Sequence, residues 1–171
     1  MKHKLLLFYS WLVYLLFRLL PDVPFVMRLR GFFYLWFTSN KSYDFQVSSN
    51  VMLRNLENLI IGNNVYLAPG VIINAIGTVH LDDEVMIGFN SVLNSGNHTI
   101  INESYRYGAK EIKPIYVGIG SWVGANCTIG AGSRIGRCTV IAANSFFSKT
   151  SQEFSIYGGV PAVLIKTLDK C

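Results

Sequence analysis

A six-residue repeat of apolar residues constrains this chain of 171 residues more than any other feature. Each apolar residue is followed by Gly, Ala, Asn, Asp or Ser. The repeat consists of Ile61, Leu67, Ile73, Leu81, Ile87, Leu93, Val117, Val123, Ile129, Ile135, Ile141 and Phe147. A period of six fits neither an α-helix nor a simple amphipathic strand, but it fits a solenoid with triangular coils and one hexapeptide per side. We therefore predict parallel strands about 4.8 Å apart, with the repeat residues stacked inside the prism.

Two irregular steps in the repeat predict where the solenoid departs from regularity. The step of eight residues from Ile73 to Leu81 predicts a corner widened by two residues. The longer step from Leu93 to Val117 predicts a loop that protrudes over 97–115. We expect about four regular coils, preceded by a ragged one. The predicted segments are an apolar, basic N-terminal segment at 1–44, the solenoid at 45–155, and a short C-terminal helix or tail at 156–171.

The N-terminal segment differs in kind from the repeat. Residues 5–20 are apolar on every face, but this run contains Arg18 and falls short of the roughly twenty residues needed to cross a bilayer. No small-residue cleavage site follows it, which argues against a signal peptide. Two interpretations remain open: a helix that caps the first coil, or a membrane anchor lying in the interface. For the second, the headgroup-facing basic residues would be Lys2, Lys4, Arg18, Arg28 and Arg30.

Charge and cysteine content exclude several classes. The formal net charge of +5 is spread along the chain without a dense basic block, so we expect no nucleic-acid partner. This modest positive charge suits a small anionic ligand. The three cysteines form no metal-binding spacing, and the two central histidines are too far apart for the zinc site of a γ-type carbonic anhydrase. We therefore expect no metal.

The catalytic candidate lies where the predicted loop leaves the solenoid. His98 follows Asn97 at that point, and a histidine is the natural general base for removing a proton from a hydroxyl at neutral pH. His80, one coil earlier in the repeat, competes for the role.

The motifs VMIGFNSVLNSGNHTI at 85–100, IYVGIGSWVGANCTIGAGSRIGRCTVIAANSFFSKT and YGGVPAVLIK resemble those of the hexapeptide-repeat acetyltransferases. The resemblance covers about residues 50–166. It is strongest to the enzymes that O-acetylate bacterial surface polysaccharides and to the galactoside and maltose acetyltransferases. It implies an all-β fold, a left-handed parallel β-helix, together with a homotrimer that binds acetyl-CoA between adjacent prisms.

The resemblance also implies roles for individual residues. His98 matches the general base of the family. The positions that match cofactor contacts are Trp122, Ala125, Ala143, Ser148, Lys149 and Lys166. Three positions depart from the pattern: Val163 replaces a basic residue, Ala68 replaces an asparagine that contacts sugar, and Ile76 replaces an acidic acceptor contact. We therefore expect the family's chemistry with a different acceptor site.

The expected function is acetyl-CoA-dependent O-acetylation of a sugar hydroxyl in a bacterial surface glycan, such as lipopolysaccharide or capsule, or in its lipid-linked precursor. The expected location is the cytoplasm, with peripheral contact to the inner membrane. Two alternatives remain open. One is an acetyltransferase for a small soluble acceptor such as a free sugar, a nucleotide sugar, serine or an antibiotic. The other is a non-catalytic trimeric scaffold.

Overall fold

The computed structural model describes residues 2–169 of the chain. Two helices come first, α1 (Lys2–Phe17) and α2 (Pro24–Leu35). The first nine strands are β1 (Phe45–Val47), β2 (Met52–Arg54), β3 (Leu59–Ile61), β4 (Val65–Leu67), β5 (Ile72–Asn74), β6 (Val79–Leu81), β7 (Met86–Ile87), β8 (Val92–Asn94) and β9 (Gly96–His98). The remaining strands are β10 (Lys110–Ile112), β11 (Ile115–Val117), β12 (Trp122–Val123), β13 (Thr128–Ile129), β14 (Arg134–Ile135), β15 (Val140–Ile141), β16 (Phe146–Phe147), β17 (Ser155–Gly159) and β18 (Ala162–Thr167). A 3₁₀ helix spans Leu56–Asn58.

The strands form the three faces of a triangular prism. The first face contains β1, β4, β7, β12, β15 and β17 in parallel order, with β18 added at its end. The second face contains β2, β5, β8, β13 and β16, and the third contains β3, β6, β11 and β14. Because consecutive strands step from face to face, every third solenoid strand pairs with the one a coil earlier. The structure thus confirms the predicted β-solenoid.

The interior of the prism is the predicted apolar stack. All twelve repeat residues are buried, and Val47 and Leu53 extend the stack into the first coil. The position after each repeat residue is small because the next coil passes directly over it. A Cβ on Gly62 would lie 2.4 Å from the backbone nitrogen of Asp83, closer than any real Cβ contact.

The corners contain a pattern that the sequence analysis missed. Three positions after most repeat residues, the backbone turns into the left-handed region. The residues with positive φ at this position are Asn64, Gly70, Glu84, Asn90, Gly120, Asn126, Gly132, Cys138 and Asn144. Asn and Gly predominate because they tolerate this conformation at the lowest steric cost.

The number of coils was underestimated. The solenoid has about six turns, the last one incomplete, rather than four regular coils preceded by a ragged one. The first coil contains all three strands. Its six-residue spacing is interrupted, because the 3₁₀ helix Leu56–Asn58 adds two residues between Leu53 and Ile61. The predicted wide corner lies directly above this helix, where the Asn58 side-chain amide donates to the carbonyls of Ala75 and Ile76, at 2.9 Å each.

The protruding loop has an ordered stem. β9 and β10 form an antiparallel pair, with Lys110 opposite His98 and Ile112 opposite Gly96. The backbone nitrogen of Lys113 then donates to the carbonyl of Ser95 at 3.0 Å, so the chain re-enters the prism where it left it.

The C-terminal segment differs from the expected short helix or tail. β17 completes the first face, and β18 folds back against it as an antiparallel strand. The boundary placed at 155/156 therefore falls inside β17. Gly158 and Gly159 allow the tight reversal, Gly159 with a φ of 102°.

The N-terminal helices pack on the first coil. Val13 of α1 and Tyr34 of α2 belong to the same buried cluster as the prism interior. Gly31 lets α2 approach β1 closely, since a Cβ there would lie 1.8 Å from the carbonyl oxygen of Phe45. No helix within residues 2–169 is long and apolar enough to cross a membrane.

Two arginines predicted to face lipid headgroups are engaged within the protein instead. Arg30 is 2 % exposed and pairs with Asp22 at 2.6 Å, and Arg28 pairs with Asp44 at 3.0 Å. Asp22 and Asp44 thus neutralise the positive charges of these two arginines, for which the sequence alone indicated no partner. Lys4 on α1 and Arg18 just after it remain exposed.

Candidate functional site

His98 ends β9 at the stem of the protruding hairpin and is exposed. Its neighbour Asn97 lies opposite Glu111 on β10. The Nζ atom of Lys113 lies 2.7 Å from Glu111, and this hydrogen bond holds the pKa of the Glu111 carboxyl below its ordinary value, with a smaller contribution from Asn97. The hairpin stem therefore presents an imidazole beside a fixed network of polar and charged side chains.

Ser148 and Lys149 lie at the same corner of the prism as the hairpin, between the second and third faces. The register runs from Val92 through Thr128 to Phe146, so the residues after β8 and β16 stack along one edge. Both Ser148 and Lys149 are exposed. This edge therefore collects a base, a hydroxyl and a cation from different coils.

Ala125 and Ala143 stack at the corner between the first and second faces. The carbonyl of Ala125 accepts a hydrogen bond of 2.9 Å from the backbone nitrogen of Asn144. Within residues 2–169, neither the Ala125 nor the Ala143 backbone N–H donates to a carbonyl of the protein. Two amide donors are thus available to a ligand along this corner, and small side chains leave room for it.

Trp122 and Lys166 belong to the first face. Trp122 on β12 is 47 % exposed and pairs with Met86 and Val140 on the neighbouring strands. Lys166 on β18 is exposed and lies opposite Ile156, whereas Val163 lies opposite Gly158 near the reversal. A lysine at the edge of this face can pair with an anion, but Val163 adds no second cation there.

The seven candidates therefore lie along both edges of the second face and on the first face, without forming one pocket in a single chain. His98, Ser148 and Lys149 lie along one edge, and the two alanines along the other. Trp122 projects from a different face than the hairpin. None of the three best-formed cavities among the described residues is lined by any of the seven.

His80 occupies a separate environment on the third face. Its Nε2 atom lies 3.2 Å from Asp82 Oδ1, and its ring packs edge-on against Tyr116. Tyr116 also donates its hydroxyl to Asp82, which raises the pKa of the phenol, and Arg134 lies over the Tyr116 ring. Asp82 and Tyr116 therefore hold the His80 side chain against the third face, away from the hairpin.

A polar cavity of about 310 Å³ lies between α1, the wide corners and the hairpin stem. Its lining includes Asn58, Asn74 and Ile76 from the corners and Lys110 from the hairpin, where Lys110 is opposite His98. The sequence analysis missed Lys110 and the asparagines as site residues. The sequence signal for this cavity was the pair of eight-residue steps in the repeat. Each step widens one corner, and two wide corners stacked on each other open this space.

Comparison with known proteins agrees with the fold and the motifs. No family model matches the chain. The galactoside O-acetyltransferase of Escherichia coli K12 is 30% identical over 112 residues, which is 66% of this chain and 55% of that protein. The chain spans about half the length of the curated relatives it matches.

Solved structures show the same fold over nearly the whole chain. A hexapeptide-repeat acetyltransferase of Vibrio cholerae, complexed with acetyl coenzyme A, superposes with a TM-score of 0.85 at 20% identity and covers 98% of this chain and 89% of its own. A maltose O-acetyltransferase of Clostridium difficile gives 0.84 at 21% identity, covering 99% and 91%. The chain therefore has the left-handed parallel β-helix fold of the hexapeptide-repeat acetyltransferases and is a homologue of the galactoside O-acetyltransferases.

Proposed function

We propose that this protein is an O-acetyltransferase that moves the acetyl group of acetyl-CoA to a sugar hydroxyl. The observation that carries the proposal is the position of His98 on the hairpin stem, opposite Lys110, which lines the polar cavity. The acceptor sugar occupies that cavity, where the side-chain carbonyl oxygens of Asn58 and Asn74 can accept hydrogen bonds from its hydroxyls. The homologous galactoside enzyme supports a sugar as the acceptor class.

The reaction is a direct transfer. His98 takes the proton of the acceptor hydroxyl as its oxygen attacks the thioester carbonyl, and backbone N–H groups stabilise the tetrahedral oxyanion. The carbon–sulfur bond then breaks, and the imidazolium returns the proton to the thiolate of CoA. The cofactor lies along Ala125 and Ala143, beside Trp122, with its phosphates near Ser148, Lys149 and Lys166. No metal is required by this mechanism.

The acceptor we favour is a bacterial surface glycan or its lipid-linked precursor, at the cytoplasmic face of the inner membrane. A panel of acceptors tests the function: free sugars, nucleotide sugars, serine and purified surface glycans, each incubated with the protein and acetyl-CoA labelled in the acetyl group. Mass spectrometry should find the label on a glycan hydroxyl. Transfer only to a small soluble acceptor would favour the first alternative, and no transfer to any acceptor would favour the scaffold.

Phosphate binding gives the first mutational prediction. Replacing Lys149 or Lys166 by Ala should raise the KM for acetyl-CoA severalfold while lowering kcat less, because each lysine contacts the bound cofactor away from the reacting atoms. The effect of each lysine should fade at high salt, since exposed charges are screened. Steady-state kinetics at two ionic strengths measures this. An unchanged KM in both variants would remove these lysines from the cofactor site.

The separation of the candidates over two edges and the first face of the prism favours a shared site. We propose a homotrimer in which the hairpin edge of one subunit meets Trp122 of its neighbour, because one chain alone leaves the two apart. Light scattering at micromolar concentration should give three times the chain mass of 19.2 kDa. A monomer mass would contradict the shared groove and leave the cofactor with only one wall.

The outer surface of the helices supports peripheral membrane contact. Large apolar side chains are exposed there, including Phe8, Leu15, Leu16, Leu19 and Phe25. An exposed apolar surface of this extent marks an interaction site in soluble proteins. Arg18 and Lys4 add the charges that anionic lipids attract, about 1 kcal/mol each near the surface.

Vesicle co-sedimentation tests this contact. The double change Leu16→Glu and Leu19→Glu should move most of the protein from vesicles with anionic lipids to the supernatant. Val160→Glu is the matched control, because Val160 is 75 % exposed but lies at the opposite end of the prism. Equal loss in both proteins, or no binding by the unaltered chain, would contradict the proposal.

A further inference from the structure

An apolar groove of about 370 Å³ lies between α1 and the second face, next to the polar cavity. One wall is formed by Leu7, Trp11 and Tyr14 of α1, and the other by Met52 and Leu53 of β2. Of the two hydroxyl side chains in its lining, Ser10 already donates to the carbonyl of Leu53, and Tyr14 adds a phenol to the wall. Its volume lies in the range of small-molecule sites, roughly 300–1,000 Å³.

The groove and the polar cavity adjoin each other. Leu7 and Arg54 line both of them. A ligand can therefore extend from the hairpin stem at Lys110, through the polar cavity, past Arg54 and into the groove. The order along this path is Lys110 on the hairpin stem, asparagine side chains, the cation of Arg54, and then apolar side chains.

The charges along the path are positive and unpaired. Arg54 is exposed at the junction, and Lys110 is exposed at the far end of the polar cavity. No carboxylate of residues 3–169 lies within ion-pair distance of either, and none lines the two cavities. His3, the other cationic candidate in the lining, is engaged by Glu57 at 2.7 Å. An anionic group at the junction would have Arg54 as its partner.

We propose that the groove binds the hydrocarbon chain of the acceptor, with the phosphate that joins chain to sugar paired with Arg54. The proposal rests on the proposed function and assigns to α1 and β2 a ligand class, a lipid-linked sugar phosphate. An apolar chain alone would not need the cation, and a free sugar would not need the groove. The side chains at the junction thus match an amphiphile with an anionic link.

Calorimetric titration of the full chain with n-alkyl phosphates of two to ten carbons, each below its micelle concentration, tests the site without acetyl-CoA. Affinity should rise about fourfold with each added CH₂ until the groove is filled, the increment expected for burying a methylene. Alkyl alcohols of the same length should bind more weakly, because they lack the anion for Arg54.

Three variants separate the parts of the site. Met52→Glu, and independently Trp11→Glu on the opposite wall, should abolish the dependence on chain length, since both side chains are exposed in the groove. Arg54→Gln should keep the chain-length dependence but remove the preference for phosphate over alcohol. Val160→Glu is the matched control: Val160 is 75 % exposed in the turn between β17 and β18, at the opposite end of the prism, and this variant should bind like the unaltered chain.

Several results would overturn the inference. These are affinity independent of chain length, equal loss in Val160→Glu, and a change of oligomer mass in Met52→Glu, which would make a second copy of the chain the occupant. Acetyl transfer to a short soluble glycoside tests the proposed function separately. If that transfer occurs but alkyl phosphates do not bind, the groove inference fails alone; if they bind and no transfer occurs, the enzyme assignment fails alone.

Discussion

Replacing His98 by Ala should lower kcat by two to four orders of magnitude, the usual effect of removing a general base. The acceptor hydroxyl would then have no group to receive its proton as it attacks the thioester. The side chain is exposed on the hairpin stem and contributes nothing to the apolar interior, so the thermal midpoint should not change. Turnover of acetyl-CoA with the best acceptor of the panel measures the loss.

His80→Ala is the matched control for this experiment. His80 contacts Asp82 and Tyr116 on the third face, outside the proposed site, so the variant should keep its activity. Calorimetry should also show that His98→Ala still binds CoA, because the base is not among the cofactor contacts. Activity lost in His80→Ala and kept in His98→Ala would reverse the assignment.

Replacing Arg30 by Ala should destabilise the attachment of the N-terminal helices by about 3–5 kcal/mol, as expected when one partner of a buried ion pair is removed. The guanidinium pairs with Asp22 and also donates to the carbonyls of Leu20 at 2.6 Å and Val47 at 3.0 Å. It therefore satisfies the Leu20 carbonyl just after α1 and the Val47 carbonyl of β1, which ties the segment that follows the helix to the first strand. Hydrogen exchange of the α1 amides should become much faster.

Arg28→Ala is the control, because its pair with Asp44 is exposed and should contribute little. Arg30→Lys should recover only part of the protection, since an ammonium cannot reproduce the fork of bonds made by the guanidinium. Equal exchange rates in Arg30→Ala and the unaltered chain would show that apolar packing alone holds the helices.

The sequence predicted the solenoid because each interior position of the prism is occupied by one apolar residue of the repeat. Each of the twelve repeat positions is buried on a different strand, so a period of six leaves little freedom for any other fold. The start of the prism was harder to identify, since the 3₁₀ helix places Leu53 eight residues, rather than six, before the first residue of the repeat. Antiparallel β18 was also missed, because Ala162–Thr167 has no repeat to identify its partner.

Other features depend on contacts between distant segments. The burial of Arg30 requires Asp22, the end of α1 and β1 to converge, and no local pattern signals that convergence. The candidate residues were identified through motifs, but their distribution over two edges and one face follows only from the register of the coils. The polar cavity arises similarly, from the stacking of two wide corners beneath a hairpin that returns from the third coil.

The closure of the hairpin at its base has a consequence for how this protein can diversify. Ser95 and Lys113 meet through a backbone hydrogen bond of 3.0 Å, so the excursion starts and ends at one point of the prism. Substitutions, insertions or a wholesale exchange of the intervening segment need not disturb the coils above or below. The scaffold can thus stay constant while the segment beside His98 changes, which gives descendants of one gene a simple route to new acceptors.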